Sequence, residues 1–273
     1  DTLHDTRSAG KSITSAIVGI AVGEGAIKSV DQSVFDYFPE HVEAVSKESR
    51  AITLEDVLTM SAGLQWNEME IPYTNPENDE IRMEESGDQA GYVLRRPLAS
   101  PPGTRWYYNS GLPTILGFVV ARATDQSFGE FARARLFEPL HMRGIEWGGC
   151  CDQGHVPELA WSSDKAWAQN AVPGGSLWIR PRDLLKFGLM YANDGVWQGK
   201  QVVPAEWIRR SLEPLVPTAA STLDHGNGVR SERRYGYQWW YNRFDLPYGE
   251  VIVHEASGNG GQKLWLIPQL DLV

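Results

Sequence analysis

The chain changes from helical to β-strand periodicity along its length, and this division most constrains its fold. Apolar residues recur at helical spacing in four segments, 13–21, 112–124, 128–136 and 181–192. Beyond Tyr235 the sequence turns to aromatic and β-branched runs, YGYQWWY, VIVHE and QKLWLIP, which predict consecutive antiparallel strands. Helices first and strands last indicate an α+β fold, in which helices pack on an antiparallel sheet.

The sequence also marks the ends of one helix and the extent of a loop region. Thr53 and Asp56 form a capping-box-like start for a helix through Met60, which Gly63 closes. Residues 65–104 are polar and rich in proline, so we expect long loops with short helical pieces there.

Size and charge limit the classes of function. The 273 residues suffice for one large domain or two modest ones. The 25 Lys and Arg face 35 Asp and Glu, and this formal charge of −10 makes nucleic acid and anionic membranes poor partners. No apolar run reaches the roughly eighteen residues of a membrane span. The six histidines lack metalloprotease and zinc-finger spacing, and we expect neither a metal nor a cofactor.

The cysteines and the chain ends leave the compartment open. Cys150 and Cys151 are adjacent, which excludes a disulfide framework within this segment and favours two ordinary thiols. The chain starts without Met or a signal-peptide pattern and stops within an apolar stretch, 270–273. We therefore expect the natural protein to be longer, and either cytoplasmic or periplasmic.

A candidate nucleophile and its base stand at the start of the first helix. In Ser8-Ala9-Gly10-Lys11, Lys11 lies one helical turn after Ser8 and shares its face. A serine hydroxyl becomes a nucleophile when a neighbouring base takes its proton, and a lysine amine is such a base where burial lowers its pKa. The N–H groups at a helix N-terminus also stabilise a developing oxyanion.

This pattern is short, and two alternatives use similar residues. A second copy, Ser162-Ser163-Asp164-Lys165, lies in a polar loop that no apolar helix follows, so we interpret it as surface. Gly10-Lys11-Ser12 matches the end of a phosphate-binding loop. That motif needs glycine where Asp5 stands and a strand before it, so nucleotide binding is a distant alternative.

Seven segments in a fixed order make the interpretation more specific. They are RSAGKSITS at 7–15, ITLEDVLTMSAGL at 52–64, PGT at 102–104, WYYNSG with LG at 106–111 and 116–117, GG with RDL at 174–175 and 182–184, YGYQW at 235–239 and SGNGGQ at 257–262. Together they resemble the serine β-lactamase-like family. That family includes class C β-lactamases, D-alanyl-D-alanine peptidases, carboxylesterases and 6-aminohexanoate-dimer hydrolases.

The resemblance implies a division of the chain into two parts. An antiparallel sheet domain would comprise residues 1–52 and 171–273, with a helical insertion domain at 53–170 and the active site between them. The family's strands upstream of the nucleophile are expected to be absent here, which would leave an exposed sheet edge.

The resemblance also implies roles for residues in the first two of the family's three catalytic motifs, Ser-x-x-Lys and Tyr-x-Asn. Ser8 would form an acyl-enzyme with Lys11 as its base. The family's Tyr-x-Asn motif, read literally, begins at Tyr107, but its distance from the neighbouring motifs places the catalytic tyrosine at Tyr108. Ser110 then completes a Tyr-x-Ser form, and Tyr107 would be a packing residue.

The third motif departs most from the family. Ala256-Ser257-Gly258 stands where β-lactamases have Lys-Thr-Gly, and the missing lysine argues against recognition of a β-lactam carboxylate. We expect Lys263 to point to solvent and not to compensate. Gly258 lets a substrate lie against the backbone, and the resemblance implies an oxyanion hole formed by the amides of Ser8 and Asn259.

Other residues near these motifs are less informative. His254 precedes the third motif and is interpreted as structural. Trp106, Trp178 and Trp239 lie beside matched motifs and are candidates for lining an acyl pocket.

The sequence predicts a serine hydrolase acting on small ester, amide or peptide-like substrates. β-Lactamase or D-alanyl-D-alanine peptidase activity is the first alternative. A non-catalytic ligand-binding homologue is the second, and the intact Ser8, Lys11 and Tyr108 argue against it.

Overall fold

The computed structural model describes residues 2–147, 177–224 and 229–273. The helices in this part of the chain are α1 (Gly10–Gly23), α2 (Leu54–Leu58), α3 (Asp79–Glu85), α4 (Gln89–Leu94), α5 (Gly111–Thr124), α6 (Phe128–Ala132), α7 (Pro181–Ala192) and α8 (Ala205–Leu212). The strands are β1 (His4–Asp5), β2 (Glu146–Trp147), β3 (Leu177–Ile179), β4 (Val196–Trp197), β5 (Lys200–Gln201), β6 (Val216–Asp224), β7 (Arg230–Tyr235), β8 (Trp240–Leu246), β9 (Gly249–Ser257) and β10 (Lys263–Leu266).

Five of these strands form one antiparallel sheet in the order β10-β9-β8-β7-β6. A smaller sheet has the order β1-β3-β2, and β4 pairs with β5. Helices precede the large sheet in the chain and pack against it, so the predicted α+β fold is confirmed. None of the helices in the described part of the chain combines the length and hydropathy of a membrane crossing.

Helix α1 lies in the core and presents the predicted apolar stripe. Ile13, Ile17 and Ala21 are fully buried, as the helical spacing requires. A Cβ atom at Gly19 would lie 2.3 Å from the Trp207 ring, so α8 approaches α1 closely at this glycine. This packing holds the helix that follows Ser8.

Helix α2 begins with the predicted capping box. The Asp56 N–H donates to Thr53 Oγ1 over 3.1 Å, and the Thr53 N–H donates to Asp56 Oδ2 over 2.9 Å. The helix ends at Leu58, earlier than predicted. Met60 has a φ of 56°, a left-handed conformation that cannot continue a right-handed helix.

The prediction of one strand at 235–241 is wrong. A turn separates β7 from β8: the Gly236 N–H donates to the Trp239 carbonyl over 2.8 Å, and Gln238 has a φ of 62°. The Gln238 N–H donates to the Leu58 carbonyl over 3.1 Å, so α2 holds this turn. Apolar side chains on both sides of the segment gave the appearance of a continuous strand.

Several other elements were not predicted, β7 and α8 among them, and some predictions lie outside the described residues. Strand β7 is rich in charge, and its Glu232 pairs with Arg243 of β8 at 3.2 Å instead of with an apolar neighbour. Helix α8 is short and also carries charged residues. Three predictions fall on residues outside the described part of the chain. They concern Cys150 and Cys151, the second Ser-x-x-Lys copy, and the glycine pair at 174–175.

Candidate active site

Ser8 lies in a short 3-10 turn, Arg7–Ala9, directly before α1. The backbone reaches this turn through Arg7, whose φ of 50° is unusual for a residue with a side chain. The Thr6 N–H and Thr6 Oγ1 both donate to the Leu177 carbonyl, at 2.9 and 2.8 Å. Strand β3 therefore anchors the segment that presents Ser8.

Lys11 lies beside the Ser8 hydroxyl, as the helical spacing predicts. Lys11 Nζ donates to Ser8 Oγ over 3.0 Å, and the lysine is only 1% exposed. Burial lowers the pKa of Lys11, while the negative charges of Glu80, Glu68 and Glu84 oppose this shift in that order. A lysine with a lowered pKa can take the proton of an adjacent hydroxyl.

Of the two adjacent tyrosines, Tyr108 is the one near these groups. Lys11 Nζ lies 5.3 Å from the centroid of the Tyr108 ring. Burial raises the pKa of Tyr108, against smaller opposing effects of hydrogen bonds with Ser8 and Ser110. The phenol therefore keeps a proton that it can donate. The Tyr107 hydroxyl instead donates to the exposed Glu70.

An aromatic cluster supports Tyr108. The Trp240 ring is inclined by 10° to the Tyr108 ring with 6.4 Å between centroids, and the Trp106 ring is 5.3 Å from that of Trp240. Trp106 thus lies beside the site, whereas the prediction for Trp239 is wrong. Trp239 is 1% exposed and contacts Tyr191 of α7 at 4.8 Å between centroids.

The third motif lies against the segment that carries the nucleophile. A Cβ atom at Gly258 would lie 2.3 Å from the Thr6 carbonyl oxygen, so only glycine permits this approach. Asn259 follows on an exposed turn, and its N–H donates to none of the residues that the structure describes. Ala256 is 1% exposed.

Lys263 is exposed, as expected, but its ammonium is bound by two side chains of β9. Its Nζ donates to Ser257 Oγ over 2.6 Å and to Glu255 Oε1 over 2.7 Å. Lys263 and Ser257 are cross-strand partners, and Glu255 is paired with Trp240. Because side chains alternate along strands, these residues share the sheet face whose Trp240 packs on Tyr108. The pairing of β10 with β9 thus brings the Lys263 ammonium to the third motif.

Sequence reasoning missed three carboxylates whose negative charges act on Lys11: Glu68, Glu80 and Glu84. They belong to the polar segment in which we expected loops. The i, i+4 spacing of Glu80 and Glu84, which places both on one face of α3, is the signal that indicates a common environment. Glu68 has no such signal because its partners are distant in sequence.

Comparison with known proteins identifies a family and several similar proteins. The model of the Beta-lactamase family matches residues 1–273. A lovastatin esterase of Penicillium rubens is 35% identical over 99 residues, which cover 34% of this chain and 23% of the esterase. A 6-aminohexanoate-dimer hydrolase of Paenarthrobacter ureafaciens is 26% identical over 284 residues, covering all of this chain and 65% of that hydrolase. The chain thus spans less than two thirds of either relative.

A solved structure shows the same fold. A penicillin-binding protein homologue from Caulobacter crescentus superposes with a TM-score of 0.68 at 19% identity, over 98% of this chain and 75% of that protein. The sequence resemblance to the β-lactamase-like family is confirmed by the family match.

Proposed function

The chain belongs to the Beta-lactamase family, a family of serine hydrolases with esterase and amide-hydrolase relatives, and from this premise we propose that it hydrolyses small esters or linear amides through an acyl-enzyme on Ser8. The observation that carries the proposal is the 3.0 Å hydrogen bond from the buried Lys11 ammonium to Ser8 Oγ. This contact, with the lowering of the pKa of Lys11 by burial, supports Lys11 as the base that activates the hydroxyl.

The reaction has two halves. In its neutral form Lys11 takes the proton from Ser8 Oγ, which attacks the substrate carbonyl to give a tetrahedral oxyanion. The amides of Ser8 and Asn259 stabilise the negative charge. Tyr108 donates its proton to the leaving alcohol or amine and is reprotonated from Lys11. Water then attacks the acyl-enzyme, its proton passes to the same base, and the acid is released as Ser8 regains its proton.

Ala256 favours esters and linear amides over carboxylated β-lactams, because it places no cation on its own strand. The names of the two relatives, an esterase and a hydrolase of a linear amide dimer, support the same substrate class. β-Lactamase or D-alanyl-D-alanine peptidase activity is the second candidate. The contact between Lys263 and Ser257 favours it, since this ammonium can attract a substrate carboxylate.

Covalent labelling tests the proposal. Intact-mass spectrometry after treatment with a fluorophosphonate should show one adduct on the wild-type protein and none on Ser8→Ala. Ser162→Ala, in the second Ser-x-x-Lys copy, is the matched control and should label like the wild type. An adduct that persists in Ser8→Ala and disappears in Ser162→Ala would assign the nucleophile to the other serine.

A further inference from the structure

A buried carboxylate behind the proposed catalytic groups accepts four hydrogen bonds. Glu68 is 1% exposed. Its Oε2 accepts from Trp66 Nε1 at 2.7 Å and from the Ser110 N–H at 2.8 Å. Its Oε1 accepts from the Tyr73 hydroxyl at 2.8 Å and from Ser110 Oγ at 2.6 Å. An ionised carboxylate satisfies all four donors at once.

Ser110 connects this carboxylate to Tyr108. Ser110 is 2% exposed and precedes α5 as its N-cap residue. Both its N–H and its hydroxyl are bound to Glu68, so the position of the backbone from Tyr108 to Ser110 depends on that carboxylate.

Glu68 also contributes charge to the surroundings of Lys11. Its negative charge, and those of Glu80 and Glu84 where they are ionised, favour the protonated amine and counter the effect of burial on the pKa of Lys11. Burial raises the pKa of Glu80 to about 8 and that of Glu84 to about 7. Glu68 differs from both in that its oxygens accept four hydrogen bonds.

We propose that Glu68 is a positioning residue of the acyl-transfer site, which orients Tyr108 through Ser110 and adds a negative charge to the surroundings of Lys11. This inference rests on the proposed function, because it assigns Lys11 and Tyr108 their roles in acyl transfer. The two effects are separable, since Ser110 transmits the orientation and the carboxylate alone supplies the charge.

The rate of fluorophosphonate labelling of Ser8 as a function of pH measures both effects without knowledge of the substrate. In Glu68→Gln the midpoint of the acidic limb should move to lower pH by on the order of one unit, because a negative charge near the Lys11 ammonium is lost. The plateau rate should fall about tenfold or more, because the new amide N–H₂ forces at least one donor to turn away. Glu70→Gln is the matched control: Glu70 is exposed, binds Tyr107 and should leave both values unchanged.

Ser110→Ala separates orientation from charge. It removes the hydroxyl link and keeps Glu68, so the plateau rate should fall while the midpoint stays within about 0.3 pH units of the wild type. A Glu68→Gln protein that is folded by near-ultraviolet circular dichroism and keeps the wild-type midpoint overturns the charge role. If Glu68→Gln does not fold, a plateau labelling rate in Ser110→Ala that equals that of the wild type overturns the inference. Failure of the proposed function is distinct, since the wild type would then carry no label on Ser8.

Discussion

Lys263 Nζ lies 2.6 Å from Ser257 Oγ, across the pair formed by β10 and β9. The third motif therefore has a cation beside it, although Ala256 replaces the lysine of the β-lactamases. This cation is partly neutralised, because Glu255 Oε1 accepts from the same ammonium at 2.7 Å. A paired ammonium attracts a substrate carboxylate less than an unpaired one does.

Lys263→Met should lower kcat/KM for the carboxylated substrate nitrocefin by about tenfold at most, because a charge-assisted hydrogen bond contributes about 1.5–3 kcal/mol before the competition of Glu255 is considered. Turnover of a neutral p-nitrophenyl ester should stay within a factor of about two. Lys200→Met, on the exposed β4-β5 hairpin, is the control and should change neither. For the unmodified protein, nitrocefin turnover above that of its best ester would contradict the proposed substrate class.

Tyr108→Phe should lower kcat for an ester or amide by about 10²–10⁴-fold, the range of a lost general acid. Tyr107→Phe should cost less than about threefold, since this hydroxyl donates to exposed Glu70 away from Lys11. Steady-state kinetics of the two variants decide the register. The reverse ranking would restore Tyr107 as the start of the motif.

Gly19→Ala should destabilise the protein by about 1–3 kcal/mol, because the new Cβ atom would lie 2.3 Å from the Trp207 ring. Overpacking outweighs the gain in helix propensity of about 1 kcal/mol. Urea denaturation measures the loss. Gly87→Ala, where a Cβ atom meets nothing within 4 Å, is the control and should be neutral or slightly stabilising. A stabilised Gly19→Ala protein would show that α1 and α8 are not in close contact.

His254 should make the protein less stable at mildly acidic pH. Burial lowers the pKa of His254 from 6.5 to about 4. The unfolded chain then binds a proton between these values that the folded protein does not, so stability falls as pH falls from 6.5 to 4. The loss is about 3 kcal/mol at most. In His254→Gln the free energy of unfolding should no longer show the part of its fall with pH that His254 causes. His4→Gln, at an exposed position, should show the same fall as the wild type.

Local sequence patterns were sufficient to predict the first helix and the proximity of Ser8 and Lys11. Ser8 and Lys11 are three residues apart on one helical face, and the apolar stripe of α1 dictates which face is buried. The capping box of α2 was predicted from local pattern as well. So were β9 and β10, the last two strands of the chain, whose sequences are apolar or alternate between apolar and polar residues. The choice of Tyr108 over Tyr107 needed the order of the motifs as well. The division into two domains at 53 and 170 stays a prediction.

Only the tertiary structure decided which charged groups surround these residues. Glu68 meets Ser110 across 42 positions of the chain, and Lys263 turns to Ser257 because two strands pair in one register. The turn at 236–239 likewise depends on the Leu58 carbonyl. A local pattern reports the period of one element and which of its faces is buried. It does not report which distant side chain comes within hydrogen-bond distance, since that depends on how the elements pack, and at this site the packing sets the burial and charge around Lys11.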